Sequence, residues 1–152
     1  MKTLLRTTSL HPDFIRLVSA LDQELAVRDG DDHAFYNQYN ATASLQHCVV
    51  ALLDSVAVGC GALRPYDEHT MEIKRMFVPL EFRGMGIASQ ILHELEYWAG
   101  ELNYARCILE TGKNQPEAIG LYSKNNYTII PNYGPYKNIS NSVCFEKIIL
   151  PQ

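Results

Sequence analysis

Around residues 72–88 the chain changes hydrophobic period across a basic turn with two glycines, and no other segment narrows the possible folds as much. Residues 72–78 are β-prone and are stopped by Pro79. From Ile87 onward, Ile87, Ile91, Leu92, Leu95, Trp98 and Leu102 recur at helical steps and define a long amphipathic helix. A strand that enters a helix through Arg83-Gly84-Met85-Gly86 makes an anion site. The glycines let backbone approach a ligand, the first helical N–H groups lack partners, and the helix dipole adds positive potential. A phosphate or pyrophosphate is the expected occupant.

Two nucleotide motifs fail on these letters. A dinucleotide GxGxxG would need Gly or Ala at position 89, which is Ser89, and no Gly-Lys-Ser/Thr of a P-loop occurs. Taken alone, the glycine pair also fits an ordinary tight turn, so its surroundings decide.

Those surroundings describe one α/β (α+β) domain over 1–152, since 152 residues suit a single core. Lys2–Thr7 opens as a strand, Ser9 offers an N-cap ahead of Pro12, and Phe14, Leu17, Val18, Leu21 and Leu25 form the stripe of a first helix. Residues 31–40, acidic and then aromatic, are read as a short second helix. His47–Leu53 and residues 56–63 flank Asp54-Ser55 as a hairpin, although the turn lacks the preferred glycine. Downstream, residues 105–109 read as a buried strand, 116–125 as a helix opened by Pro116, and 142–149 as a closing strand. A meander followed by alternating strands and helices predicts a mixed, mostly antiparallel sheet covered by helices on both faces.

Composition excludes several function classes. With 13 basic and 17 acidic residues, net −4 and a pI near 5.7, no broad phosphate-tracking surface for nucleic acid is expected. The longest apolar run, residues 48–53, cannot cross a bilayer, and Arg6 interrupts any secretory start, so no membrane association and a cytoplasmic location are expected. Cys48, Cys60, Cys107 and Cys144 are far apart and read as reduced, buried thiols. His11, His33, His47, His69 and His93 show no metal-ligand spacing, so no metal is expected.

Arg83, Gly86 and Ala88, after a strand and at a helix start, resemble the Arg/Gln-x-x-Gly-x-Gly/Ala signature of the GNAT acyltransferase superfamily. A second segment, Gln115-Pro116-Glu117-Ala118-Ile119-Gly120-Leu121-Tyr122-Ser123-Lys124-Asn125-Asn126-Tyr127, is similar to the family's Asn-x-x-Ala-x-x-Leu-Tyr-x-x-x-Gly-Phe. Gln115 replaces Asn, and Asn126-Tyr127 replaces Gly-Phe; Asn tolerates left-handed backbone nearly as glycine does.

The resemblance implies acetyl-CoA in a V-shaped gap between two splayed parallel strands that end near Val78 and Thr111. The pantetheine arm would run along Met76, Phe77 and Val78, and Arg83, Gly84, Met85, Gly86, Ile87, Ala88 and Ser89 would hold the pyrophosphate, with Gln115 nearby. It further implies an amine attacking the thioester directly, Tyr122 as general acid and the Met76 N–H as oxyanion donor. Glu72 matches a base position of some members and, by alternation, would share a strand face with Met76; His69, Glu110 or a water chain are alternatives. Asp29, Asp31 and Asp32 could favour a cationic amine, and Tyr133 and Tyr136 could wall an acceptor pocket. The expected function is N-acetylation of a small-molecule or peptide amine, the alternative being a non-catalytic acyl-CoA-binding module. Because the family often forms dimers, a homodimer is one expected assembly.

Overall fold

A computed structural model describes residues 1–30 and 44–149. The helix expected over residues 31–40, together with Asp31 and Asp32, lies outside the described residues. Strands β1 (Lys2–Thr7), β2 (His47–Leu53), β3 (Val56–Asp67), β4 (Thr70–Phe77), β5 (Arg106–Gly112), β6 (Thr128–Ile130) and β7 (Ser142–Ile148) form one sheet in the order β1-β2-β3-β4-β5-β7-β6. Every neighbouring pair is antiparallel except β4 and β5, which are parallel.

Alternation along the strands sorts the core into two layers. On one face, Phe14, Leu17, Val18 and Leu21 of helix α1 (Pro12–Asp29) pack on Cys48, Val50, Cys60 and Ala62. On the other, Ile87, Ile91, Leu92 and Leu95 of helix α2 (Ile87–Glu101) meet Val49, Val58, Leu63, Met71 and Ile73, and Tyr122 of helix α3 (Pro116–Lys124) joins this layer. Gly59 and Gly61 admit α2 at close range, since a Cβ on Gly61 would stand 2.9 Å from Leu95 Cδ1. All four cysteines are free and fully buried. No described helix is long and apolar enough to cross a membrane.

Local chemistry accounts for where the elements begin and turn. The cap of α1 is His11, not Ser9: its Nδ1 accepts the Asp13 N–H at 3.1 Å, one residue before the helix-starting Pro12. The Asp54-Ser55 turn takes φ values of 49° and 72°, the mirror-image geometry a two-residue hairpin requires, without a glycine. β3 runs four residues beyond the expected end at 63, because its exposed Arg64, Pro65, Tyr66 and Asp67 complete the hairpin with β4.

The feature that positions the site is the partial pairing of β4 with β5. Their registered pairs are Thr70 with Arg106, Met71 with Cys107, and Glu72 with Ile108; beyond these the strands part. Just past the divergence, two steps of β3 (from Cys60 to Ala62) oppose three steps of β4 (from Phe77 to Lys74), which marks an extra residue in β4. Arg75 sits at that bulge with φ 59°. The two-residue alternation is thereby interrupted: Met76 packs in the α2 layer, whereas Glu72 bonds Tyr133 on the opposite face. The expectation that Glu72 and Met76 share a face is therefore corrected.

Candidate active site

Along the free end of β4 lies a groove of about 340 Å³, floored by Met76, Phe77 and Val78 and walled by Leu21 and Glu24 of α1, by the first turn of α2 and by α3. At its mouth Gly84 (φ 84°) and Gly86 (φ 78°) take left-handed backbone, and a Cβ at either would meet nothing within 4 Å. Packing does not demand these glycines; the backbone path does, and it leaves the α2 N-terminus uncovered for an anion. Gly86 is the N-cap and offers no side-chain cap to the first N–H groups.

Of the residues expected to hold the cofactor, Met76, Phe77, Val78, Arg83, Gly84, Gly86, Ile87, Ala88, Ser89, Gln115 and Tyr122 all line this groove, whereas Met85 does not. Met85 is half exposed at the turn. The side chain of Arg83 is itself engaged: Nε donates to the Val78 carbonyl at 2.7 Å and Nη2 donates to Glu24 of α1 at 2.9 Å. It braces the turn between β4 and α1, and its charge is paired with that of Glu24, which lines the same groove. Ser89 Oγ accepts from Asn125 Nδ2 at 3.1 Å, and Asn125 Oδ1 accepts from His93 Nε2 at 2.8 Å. These bonds fasten the end of α3 to the start of α2. Asn126 takes φ 73°, so it fills the left-handed position that glycine occupies in the family segment.

Deeper in the splay a second cavity, of about 100 Å³, is lined by Lys74, Arg75, Met76, Glu110, Thr111 and Tyr122, among others. Tyr122 and Met76 border both chambers. Burial, and then the charge of Glu110, raise the Tyr122 pKa well above the ordinary phenol value, so its proton is retained at neutral pH.

Glu72 does not line either chamber. It is 2% exposed and accepts from Arg64 Nη2 at 3.0 Å and from Tyr133 Oη at 2.7 Å, which ties the 3-10 turn Gly134–Tyr136 and its neighbour Tyr133 to β4. Tyr136, 2% exposed, lies on the same side, where Lys74 Nζ donates to its hydroxyl at 3.4 Å. Burial chiefly pushes the Lys74 pKa down and those of Tyr133 and Tyr136 up. His69 precedes β4 at the end where the two strands are still paired, and its carbonyl accepts the Ala105 N–H at 2.8 Å.

Sequence reasoning passed over Lys74, Arg75 and Asn125. The signal for the first two was present as a Lys-Arg pair inside an otherwise apolar strand, where charge is expensive to bury. Asn125 carried no local signal, since its side-chain partners Ser89 and His93 lie on another helix. Among the described residues no group of three or more His, Cys, Asp or Glu could hold a metal.

The model of the acetyltransferase (GNAT) family matches residues 13–127. The chain belongs to this family. GNAT enzymes use acetyl-CoA. The protein is 31% identical to an "IAA acetyltransferase" of Azospirillum brasilense, over 95% of this chain and 96% of that one. Among solved structures, a Klebsiella pneumoniae protein described as an acyl-CoA N-acyltransferase superposes with TM-score 0.83 at 27% identity, covering 99% of both chains. A GNAT family acetyltransferase from Elizabethkingia anophelis, solved with acetyl-CoA bound, shares the fold at TM-score 0.71 and 21% identity, with 97% of this chain and 98% of that one covered. The V-shaped gap expected between two parallel strands is thus the splay of β4 from β5 in an acetyltransferase fold.

Proposed function

We propose that this GNAT acetyltransferase takes acetyl-CoA as donor and passes the acetyl group to a primary amine of a small molecule or peptide by direct attack on the thioester. The observation that carries the reading is the place of Tyr122, whose side chain borders both the glycine-mouthed groove and the charged inner cavity. In this reading the pyrophosphate lies against the backbone of 84–89 and the pantetheine arm follows β4 at 76–78, where the β5 edge has moved away. The thioester then reaches Tyr122 from one side and the amine from the other.

Three roles follow. The Met76 N–H stabilises the oxyanion, a task for which its side chain is irrelevant. Tyr122, kept protonated by burial, gives its proton to the departing thiolate. For deprotonating the amine the cavity lining favours Glu110, which faces the same chamber as Tyr122; Glu72, held by Arg64 and Tyr133, fixes the wall formed by Tyr133. A non-catalytic acyl-CoA-binding module would need the groove but not the inner cavity.

Tyr122→Phe distinguishes the two. The substitution keeps the ring, which packs 5.8 Å from Tyr127 and 5.9 Å from Phe145, and removes the hydroxyl that would give the proton. Turnover, followed as thiol release with a panel of primary amines, is expected to fall at least about tenfold with acetyl-CoA affinity unchanged. Equal turnover by wild type and variant would remove Tyr122 from the mechanism.

A further inference from the structure

The inner cavity has an unusual electrostatic composition. Lys74 and Arg75 are consecutive residues, and on a regular strand they would face opposite sides of the sheet. The bulge at Arg75, with φ 59°, instead leaves both on the α1 side: Lys74 reaches Tyr136, and Arg75 reaches the Val18 carbonyl and Asp22 of α1. Both line the cavity, and both are buried, at 8% for Lys74 and 2% for the Arg75 side chain.

Neither cation is fully compensated. Arg75 uses Nη2 for its contacts with α1, while its Nε and Nη1 are buried with no hydrogen-bond partner among the described residues. Among the described residues Lys74 Nζ donates to the Tyr136 hydroxyl at 3.4 Å and stands 3.9 Å from Glu72, whose oxygens already accept from Arg64 and Tyr133. Buried N–H groups on a cation that lack an acceptor are costly, and a protein keeps them where water or a ligand supplies the acceptor. The void beside them, about 100 Å³, accommodates a carboxylate and a few further atoms. Glu110 supplies the opposite charge in the same cavity.

We propose that the amine acceptor carries a carboxylate, which sits against Arg75 and Lys74 while its amine faces Glu110 and the thioester, so that the acceptor class is the free amino acids and related amino-carboxylates. The inference rests on the acetyltransferase reading above and deepens it. Charge-assisted bonds from a guanidinium and an ammonium are the strong form of carboxylate recognition, and an acceptor lacking that group leaves both cations unpaired. A decarboxylated analogue is thus rejected by the same desolvation penalty that the carboxylate relieves.

The test compares free amino acids with their decarboxylated amines, for example phenylalanine with phenethylamine and leucine with isopentylamine, as acceptors from acetyl-CoA. The expected result is a kcat/KM at least about tenfold higher for the amino acid of a productive pair. Lys74→Gln is expected to raise the amino-acid KM at least about tenfold and reduce the preference to a few-fold, with Lys74→Arg restoring much of it and acetyl-CoA affinity unchanged in both. Equal or better turnover of the amines, a preference that survives in Lys74→Gln, or no turnover of either class by an enzyme that binds acetyl-CoA would overturn the carboxylate site. Failure of the wild type to bind acetyl-CoA would instead overturn the underlying reading, and this proposal with it.

Discussion

Strands β4 and β5 behave differently along their length, and the contrast separates what holds this molecule together from what it does. At Thr70–Glu72 and 106–108 the two strands are in register, and polar contacts are consumed internally: Arg106 donates from Nε to Thr70 Oγ1 at 2.8 Å and from Nη1 to Glu146 at 2.7 Å. Met71 and Cys107 between them are 1% and 0% exposed. A few residues onward, at 73–77 and 109–112, the strands no longer pair, and the freed edges border the groove and the inner cavity. One half of the strand pair is closed by its own hydrogen bonds and the other is left open for a ligand to complete.

That division makes separable predictions. The largest structural effect is expected at the closed half: Met71→Ala removes a fully buried side chain from the α2 layer and should cost about 2–5 kcal/mol of stability. Denaturant titration measures the loss, and acetyl-CoA affinity should stay within a few-fold of wild type. A large loss of affinity at unchanged stability would break the division.

A smaller effect concerns alkaline pH. Burial pushes the Cys107 thiol up to about 12, against an unfolded value of 9.0. Because the folded value is the raised one, the neutral thiol contributes its stability fully below pH 9, and this contribution is lost as pH rises from 9 toward 12. At pH 10 the loss for this single thiol is about 1.4 kcal/mol. Unfolding free energies at pH 8 and pH 10 should therefore differ more for wild type than for Cys107→Ala; equal differences would show that the thiol titrates alike in the folded and unfolded chains.

The same contrast explains what the sequence disclosed. The strand-to-helix turn was legible because its signals are local: two glycines, the missing side-chain cap and the change of period at Ile87 all lie within one short segment. The sheet and the helices that cover it were legible from the β-prone runs of β2 and β3 and from the apolar stripes of α1 and α2. What escaped depended on distant partners. Nothing near Arg75 announces a left-handed residue in a strand; the bulge is held by Arg75's buried contacts with Val18 and Asp22 of α1. Glu72 looked like a candidate base because its partner Tyr133 arrives from 61 residues later in the chain. Lys74 carried a signal in the Lys-Arg pair, but the Tyr136 turn that it bonds likewise comes from far along the chain.

The open half is proposed as an acetyl-CoA site entered through the turn at Gly86. Calorimetric titration of the protein with acetyl-CoA, repeated on Gly86→Glu, tests this directly, because glutamate adds a negative charge and a side chain at a left-handed position facing open space. The predicted result is binding in the micromolar range by wild type and at least about a hundredfold weaker binding by a variant that still unfolds cooperatively. Absence of binding by wild type, or equal binding by a folded Gly86→Glu, would contradict it.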